Sequence, residues 1–308
     1  MTAESGDAVA KEPPRRPPGN CLLFYPIPAD DEPDTQAPPD AAHAPGADRR
    51  THELPRPADR PRAHHESLVQ ERNTTMTSLN GATVLVTGAN GGLGTELVKA
   101  ALDRGARRVY ATARSPKEWG DERVVPLRLD VADPEAVDRI ARQAGDTTIL
   151  INNAAVYPKG DLLTASAEDI TTTIDTNLLG PIRLTQTLAS ALRSAKGALV
   201  NVGSVLGWLA IGKAHSVSKA GLWMATNAFR LELAPAGVQV LGVYAGPTDT
   251  PMQAGNDPAG MNKPSDVASA ILDAVEAGDH ELFVDELTTK VHTALSAPVT
   301  ALYPALAQ

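Results

Sequence analysis

An α/β fold, built as one domain on a doubly wound parallel sheet of about seven strands, is predicted for residues 76–308, and three observations predict it. From Thr83 onward, short apolar runs alternate with stretches of helical periodicity, the mark of strands buried on both faces and joined by helices. A glycine-rich turn joins the first apolar run directly to the first helical stretch. Composition also changes abruptly near Met76, so the chain beyond that residue reads as one unit with its own core.

Seven apolar runs are candidate strands: 83–87, 108–113, 124–130, 148–152, 198–202, 238–244 and 281–284. Helical periodicity covers 93–104, 134–143, 167–194, 214–233 and 266–276. Asp133 before Pro134 reads as an N-cap with proline at the first helical position, and Ser166 with Asp169 as a capping box. Right-handed crossovers then give a Rossmann-type sheet whose ligand crevice lies beyond the carboxyl ends of its strands.

Residues 1–75 differ in kind, holding 13 of the 25 prolines and one short apolar island, 21–27. Too little apolar surface is present to offset chain entropy, and the segment is expected to be a disordered Pro-rich extension or a mis-called upstream start. The island is too short to span a membrane and no secretory signal is evident. A net charge of −9 without a basic block argues against a nucleic-acid partner. The single cysteine, Cys21, excludes an internal disulfide framework and a cysteine metal site, which fits a cytoplasmic protein.

Chemistry begins in Thr87-Gly-Ala-Asn-Gly-Gly-Leu-Gly94, where Gly88, Gly92 and Gly94 allow a tight turn and Asn90 and Leu93 complete it. Glycines permit close approach of backbone to a pyrophosphate, which the positive end of the next helix attracts. Further on, His215 and Lys219 stand four apart and so share one helix face, beyond the run 198–202 and Ser204.

The pattern T-G-x-x-x-G-x-G resembles the short-chain dehydrogenase/reductase family. Asn152-Asn153-Ala154-Ala155 is similar to its NNAG segment, Asn177 to its catalytic asparagine and Ser204 to its serine. HSVSK, 215–219, resembles its YxxxK, and AGPTDTPM, 245–252, its P-G-x-x-x-T loop. The resemblance implies an NAD(P)-dependent oxidoreductase in which Asn177, Ser204, His215 and Lys219 are catalytic. It also implies nucleotide contacts from Gly88, Asn90, Gly92, Leu93, Gly94, Arg114, Asp130, Val131, Asn153, Ala154, Lys219, Gly246 and Thr250, a small carbonyl or alcohol substrate, and a homodimer or homotetramer through the helices 167–194 and 214–233. NAD-preferring relatives place an acid where Ala113 stands; here Arg114 follows, and a guanidinium suits a 2′-phosphate, so NADP(H) is favoured over NAD(H). Arg114 as a solvated loop charge, and Asp130 as a turn acid, stay open as plainer readings.

One position departs from the family: His215 stands where the resemblance implies tyrosine. Three readings are open: an imidazole that replaces the phenol in proton transfer, a general base for a non-redox reaction, or a catalytically silent subunit of a hetero-oligomer. A Lys219 cation nearby would lower the histidine pKa, and Tyr157 could bring a hydroxyl from the neighbouring strand end. No G-x-S-x-G elbow surrounds Ser204, which argues against a serine hydrolase. Metal ligation is not expected, His280 and His292 being assigned to the surface. Residues 253–262 take the place of a lid, with Trp208, Leu209 and Met252 either lining an apolar pocket or simply packing.

Overall fold

A computed structural model describes residues 76–158 and 160–307; the expectations for 1–75, including His64 and His65, fall outside them. The chain forms strands β1 (Thr83–Thr87), β2 (Arg108–Ala113), β3 (Val124–Arg128), β4 (Ile149–Asn152), β5 (Ala198–Val202), β6 (Gln239–Tyr244) and β7 (Glu281–Phe283). All pair in parallel in the order β3-β2-β1-β4-β5-β6-β7. The order reverses between β1 and β4, and the crevice of a doubly wound sheet opens beyond the strand ends at that point.

Helices α1 (Gly92–Asp103), α2 (Pro134–Gln143), α3 (Ala167–Ile174), α4 (Gly180–Ala195), α5 (Ala214–Leu233), α6 (Pro264–Ala277), α7 (Glu286–Thr293) and α8 (Val299–Leu302) make up the helical complement. Alternate strand residues separate the layers. Val84, Val86, Val109, Ile151 and Val243 pack with Leu97 of α1 and Ile271 of α6, while Leu85, Leu150, Leu199 and Val240 pack with Ile140 of α2 and Leu188 of α4. Each fully buried aliphatic side chain of this kind contributes about 1.5–3 kcal/mol, so the continuous apolar runs account for the sheet being covered on both sides.

The caps form as expected at Asp133, whose side chain accepts from the Glu135 amide. At α3 the Ser166 hydroxyl accepts from the Asp169 amide, but Asp169 answers to the Ser166 hydroxyl instead of its backbone, so the box is half made. The span 167–194, expected as one helix, is interrupted by a π turn at Asp175–Leu179. Pro181 lies in the first turn of α4 and has no N–H to return to the Asn177 carbonyl four residues back, which loosens the backbone there. Two C-terminal helices beyond β7 also appear, and their short length left little periodicity to read.

Under the crevice runs a buried side-chain hydrogen-bond chain. Asn152 Nδ2 donates to Asn201 Oδ1 (2.9 Å) and to Thr185 Oγ1 (3.3 Å), and Asn201 Nδ2 donates to Thr226 Oγ1 (2.9 Å). It ties α4, β4, β5 and α5 together. Replacing Asn201 with alanine leaves the Asn152 amide and the Thr226 hydroxyl short of partners, each costing about 1–3 kcal/mol. Urea denaturation of Asn201→Ala should show that loss, and an unchanged midpoint would mean the chain adds no stability.

Candidate active site

The glycine turn is assembled by contacts that leave no room for side chains. Gly88 adopts a φ of 67°, and a Cβ on Gly94 would stand 2.2 Å from the Gly88 carbonyl oxygen. Asn153 and Ala154 brace the turn from β4: both amides donate to Thr87 Oγ1 at 2.9 Å, and Asn153 Nδ2 donates to the Thr87 carbonyl at 2.8 Å. Asn90 donates to the Ser115 carbonyl, joining the turn to the loop after β2. Leu93 lies in the first turn of α1 and packs on the core.

This end of α1 fits a nucleotide pyrophosphate. Gly91 caps the helix with no side-chain hydrogen bond, no acid lies in the first turn, and nothing lies within 4 Å of where a Gly91 Cβ would be. Free amide donors and the helix dipole are therefore open to an anion. Thr250 sits over the turn, its Cβ 2.6 Å from a hypothetical Cβ on Gly92. Arg114 is exposed and without an ion pair or hydrogen bond among the described residues. Lys117 was missed in the sequence: its Nζ lies 3.1 Å from Thr95 Oγ1 and 4.2 Å over the Trp119 ring, so a second cation borders the turn. Asp130 accepts from the Ala132 amide at 3.0 Å, as a turn acid does, and Val131 is buried against Gly180.

Opposite, α5 carries His215 and Lys219, both buried. It starts beside Lys213, a non-glycine residue at φ 58° and ψ −122°, a sparsely populated conformation of the sort that gathers near functional sites. Lys213 also pairs with Asp161 at 2.7 Å. Lys219 Nζ donates to the Val202 carbonyl at 2.6 Å, and burial lowers its pKa from 10.5 to about 8. His215 is lowered from 6.5 to about 4 by burial first and the Lys219 cation second, with its hydrogen bond to the Val156 backbone opposing them. The π turn delivers Asn177, which grips the Val156 peptide from both sides: Oδ1 accepts from the amide at 2.8 Å and Nδ2 donates to the carbonyl at 2.9 Å. Nδ2 also lies 3.0 Å from Ser218 Oγ and 3.3 Å from His215 Nδ1.

Ser204 stands after β5 and accepts from the Leu206 amide at 3.1 Å. The Tyr157 ring packs tilted against His215, centroids 4.7 Å apart and planes 56° apart. Gly246 donates to Asp285 Oδ2 at 2.7 Å, and Asp285 also accepts from Asn262 and caps α7 through Thr288. It thus pins the base of the 253–262 loop; its N-cap pattern was visible in the sequence, its tie to Gly246 was not. Of the two readings of Trp208, packing is the one the structure favours: it lies among Trp223, Tyr244, Phe283 and His292 in an aromatic cluster. The surface assignment of His292 is corrected in part: the residue is half-buried, with its ring against Trp208 and Phe283.

Comparison with known proteins shows the family. The family model for short chain dehydrogenase matches residues 82–259, and the chain belongs to that family. It is an oxidoreductase of the short-chain dehydrogenase type. A ketoacyl reductase, HetN, of Nostoc sp. is 31% identical over 234 residues, covering 68% of this chain and 81% of the relative. An NADPH-dependent 1-acyldihydroxyacetone phosphate reductase of Schizosaccharomyces pombe is 33% identical over 55% of this chain and 61% of its own length. The crystal structure of a short chain dehydrogenase from Burkholderia cenocepacia in complex with NADP is 34% identical, with a TM-score of 0.70 over 75% of this chain and 100% of that one.

Burial of a neutral histidine links the site to stability. The unfolded chain takes up this proton near pH 6.5 and the native site only near pH 4, so the unfolded state binds more protons in between. Stability from this group is full above pH 6.5 and falls on acidification toward pH 4, by on the order of 3 kcal/mol. Urea denaturation at pH 7.5 and 4.5 should show His215→Gln losing less stability by about that amount; equal losses would mean the imidazole is not held neutral.

Proposed function

We propose that the protein is an NADP(H)-dependent oxidoreductase that interconverts a small carbonyl compound and its alcohol, with His215 as the proton-transfer group. The observation that carries the reading is the convergence of His215, Lys219, Asn177 and Val156 at the strand ends, opposite the open glycine turn. The nicotinamide, when bound, supplies or receives the hydride. Gly88, Asn90, Gly92, Leu93 and Gly94 form its phosphate turn, Asn153 and Ala154 brace it, and Asp130 and Val131 border the adenine. Gly246 and Thr250 border the nicotinamide end with Lys219. Ser204 orients the substrate oxygen.

Preference for the phosphorylated cofactor rests on Arg114, with Lys117 as a second cation, and is supported by a relative named as NADPH-dependent and a similar structure solved in complex with NADP. The catalytic unit is assigned to residues 76–308. The helices α4 and α5 are taken to pair in a homodimer or homotetramer; Val217, Met224 and Leu231, seven apart and exposed on α5, support that face as apolar. The lone cysteine supports a cytoplasmic location, and no helix among the described residues is long and apolar enough to cross a membrane.

Titration of the full chain with NADPH and NADH by calorimetry, followed by absorbance at the NADPH band with small aldehydes, ketones and alcohols, tests the reading. NADPH should bind more tightly, and turnover should exceed that of Lys219→Ala by about 10²-fold or more, the scale of lost acid–base and positioning help. Binding without turnover, with activity arising only in His215→Tyr, would instead favour a non-redox or supporting role. Arg114→Asp should weaken NADPH at least tenfold while leaving NADH within a few-fold, since it sets an acid against the 2′-phosphate. Equal losses for both nucleotides would remove Arg114 from cofactor choice.

A further inference from the structure

The hydrogens around His215 can be placed by elimination. Asn177 Oδ1 accepts from the Val156 amide at 2.8 Å, so its amide cannot be flipped and both Nδ2 hydrogens face the other way. One goes to the Val156 carbonyl at 2.9 Å. The other goes to Ser218 Oγ at 3.0 Å, which must accept because its own hydrogen is donated to the His215 carbonyl at 2.7 Å. Asn177 has nothing left for His215 Nδ1, 3.3 Å away. Nδ1 also faces the Val156 carbonyl oxygen at 3.0 Å, an atom that can only accept. The hydrogen between them must therefore belong to Nδ1. The remaining nitrogen, Nε2, has no hydrogen-bond partner among the described residues, and unlike Trp208 Nε1 and Tyr244 Oη it is not among the sealed unpaired atoms.

We infer that Asn177, acting through the Val156 peptide, holds His215 as the Nδ1–H tautomer, and that the bare Nε2 is the base that takes the hydroxyl proton when this enzyme oxidises an alcohol. The inference rests on the oxidoreductase reading. In the step, the carbinol carbon gives up its hydrogen with the bonding pair to the oxidised nicotinamide, the hydroxyl proton goes to Nε2, and the carbon–oxygen double bond forms. The resulting imidazolium passes its proton to water. Asn177 is a positioning residue here, and His215 touches the reacting oxygen.

The same arrangement disfavours the reverse reaction. Carbonyl reduction needs a proton on Nε2, and with Nδ1 already occupied that means the imidazolium. A ring lowered to about 4 carries it in about one molecule per thousand at pH 7. The titratable groups that face the ring are Lys219 on its own helix and Tyr157 from the loop after β4. The π turn presents Asn177, uncharged, with its acid Asp175 toward Arg183; Ser204 is the polar group at the end of β5. Between pH 5.5 and 7.5 Lys219 stays mostly charged and the imidazole mostly neutral, its small protonated fraction falling about tenfold per pH unit.

Long-range ¹H–¹⁵N correlation on the full-length protein, with the His215 ring assigned by its loss in His215→Gln, reads the tautomer directly. At pH 7 a protonated Nδ1 and an unprotonated Nε2 are expected, and Asn177→Ser should admit the other tautomer while leaving the remaining histidine signals in place. In parallel, initial rates over pH 5.5–7.5 should be flat within about twofold for alcohol oxidation and fall about tenfold per pH unit for carbonyl reduction. An Nε2–H tautomer in the native protein would overturn the inference whatever the rates. An Nδ1–H tautomer with no turnover of either nucleotide would leave the ring geometry standing and remove both the base role and the oxidoreductase reading.

Discussion

A parallel sheet covered on both faces has nowhere to put polar groups except at the ends of its strands, and this protein meets that constraint with paired amides. Asn152 and Asn201 lie side by side on β4 and β5, in register, and each reaches outward to a threonine on a long helix. Polar groups buried this deep are costly unless every one is matched. Matched, they fix where α4 and α5 stand relative to the strand ends. The height of His215 and Lys219 above the sheet is set in turn, because both project from the first two turns of α5.

The lysine shows how closely the site depends on backbone. Its ammonium is buried with one carbonyl, that of Val202, as its hydrogen-bond partner. No carboxylate pairs with it among the described residues. A cation so placed loses much of its hydration, which is why its pKa falls. The same cation raises the cost of protonating His215 one turn away. Two basic groups on one helix face thus compete for one positive charge, and the lysine keeps it.

Much of the fold was legible because its signals are local. The apolar runs, the proline at the start of α2 and the glycine turn each depend on a few adjacent residues, and each lies within two residues of its expected place. The π turn was not, since it depends on Pro181 withholding a hydrogen bond from Asn177, a consequence of register and not of composition. In the site, His215 and Lys219 were readable from their spacing. Ser218, three residues from His215 on the same helix, could have been read with them. The part played by Val156 could not, because a backbone carbonyl leaves no trace in the side-chain sequence. Trp208 stayed open for a related reason: an aromatic after a catalytic-looking serine can line a pocket or fill a core, and only the neighbouring rings of Phe283 and His292 decide.

Replacing a phenol with an imidazole changes more than a pKa. A phenol has one oxygen that can give or take a proton, so its direction is set by its ionisation alone. An imidazole has two nitrogens, and the protein must choose which one meets the substrate. Here the choice is made by the Val156 peptide, which Asn177 holds at both its amide and its carbonyl. A histidine dropped into an ordinary tyrosine site would be free to turn; this one is turned already. The cost is carried as lost stability in acid, since a ring held neutral by burial resists protonation only until the chain unfolds to admit the proton. The structure therefore exchanges tolerance of low pH for a nitrogen lone pair kept ready at neutral pH.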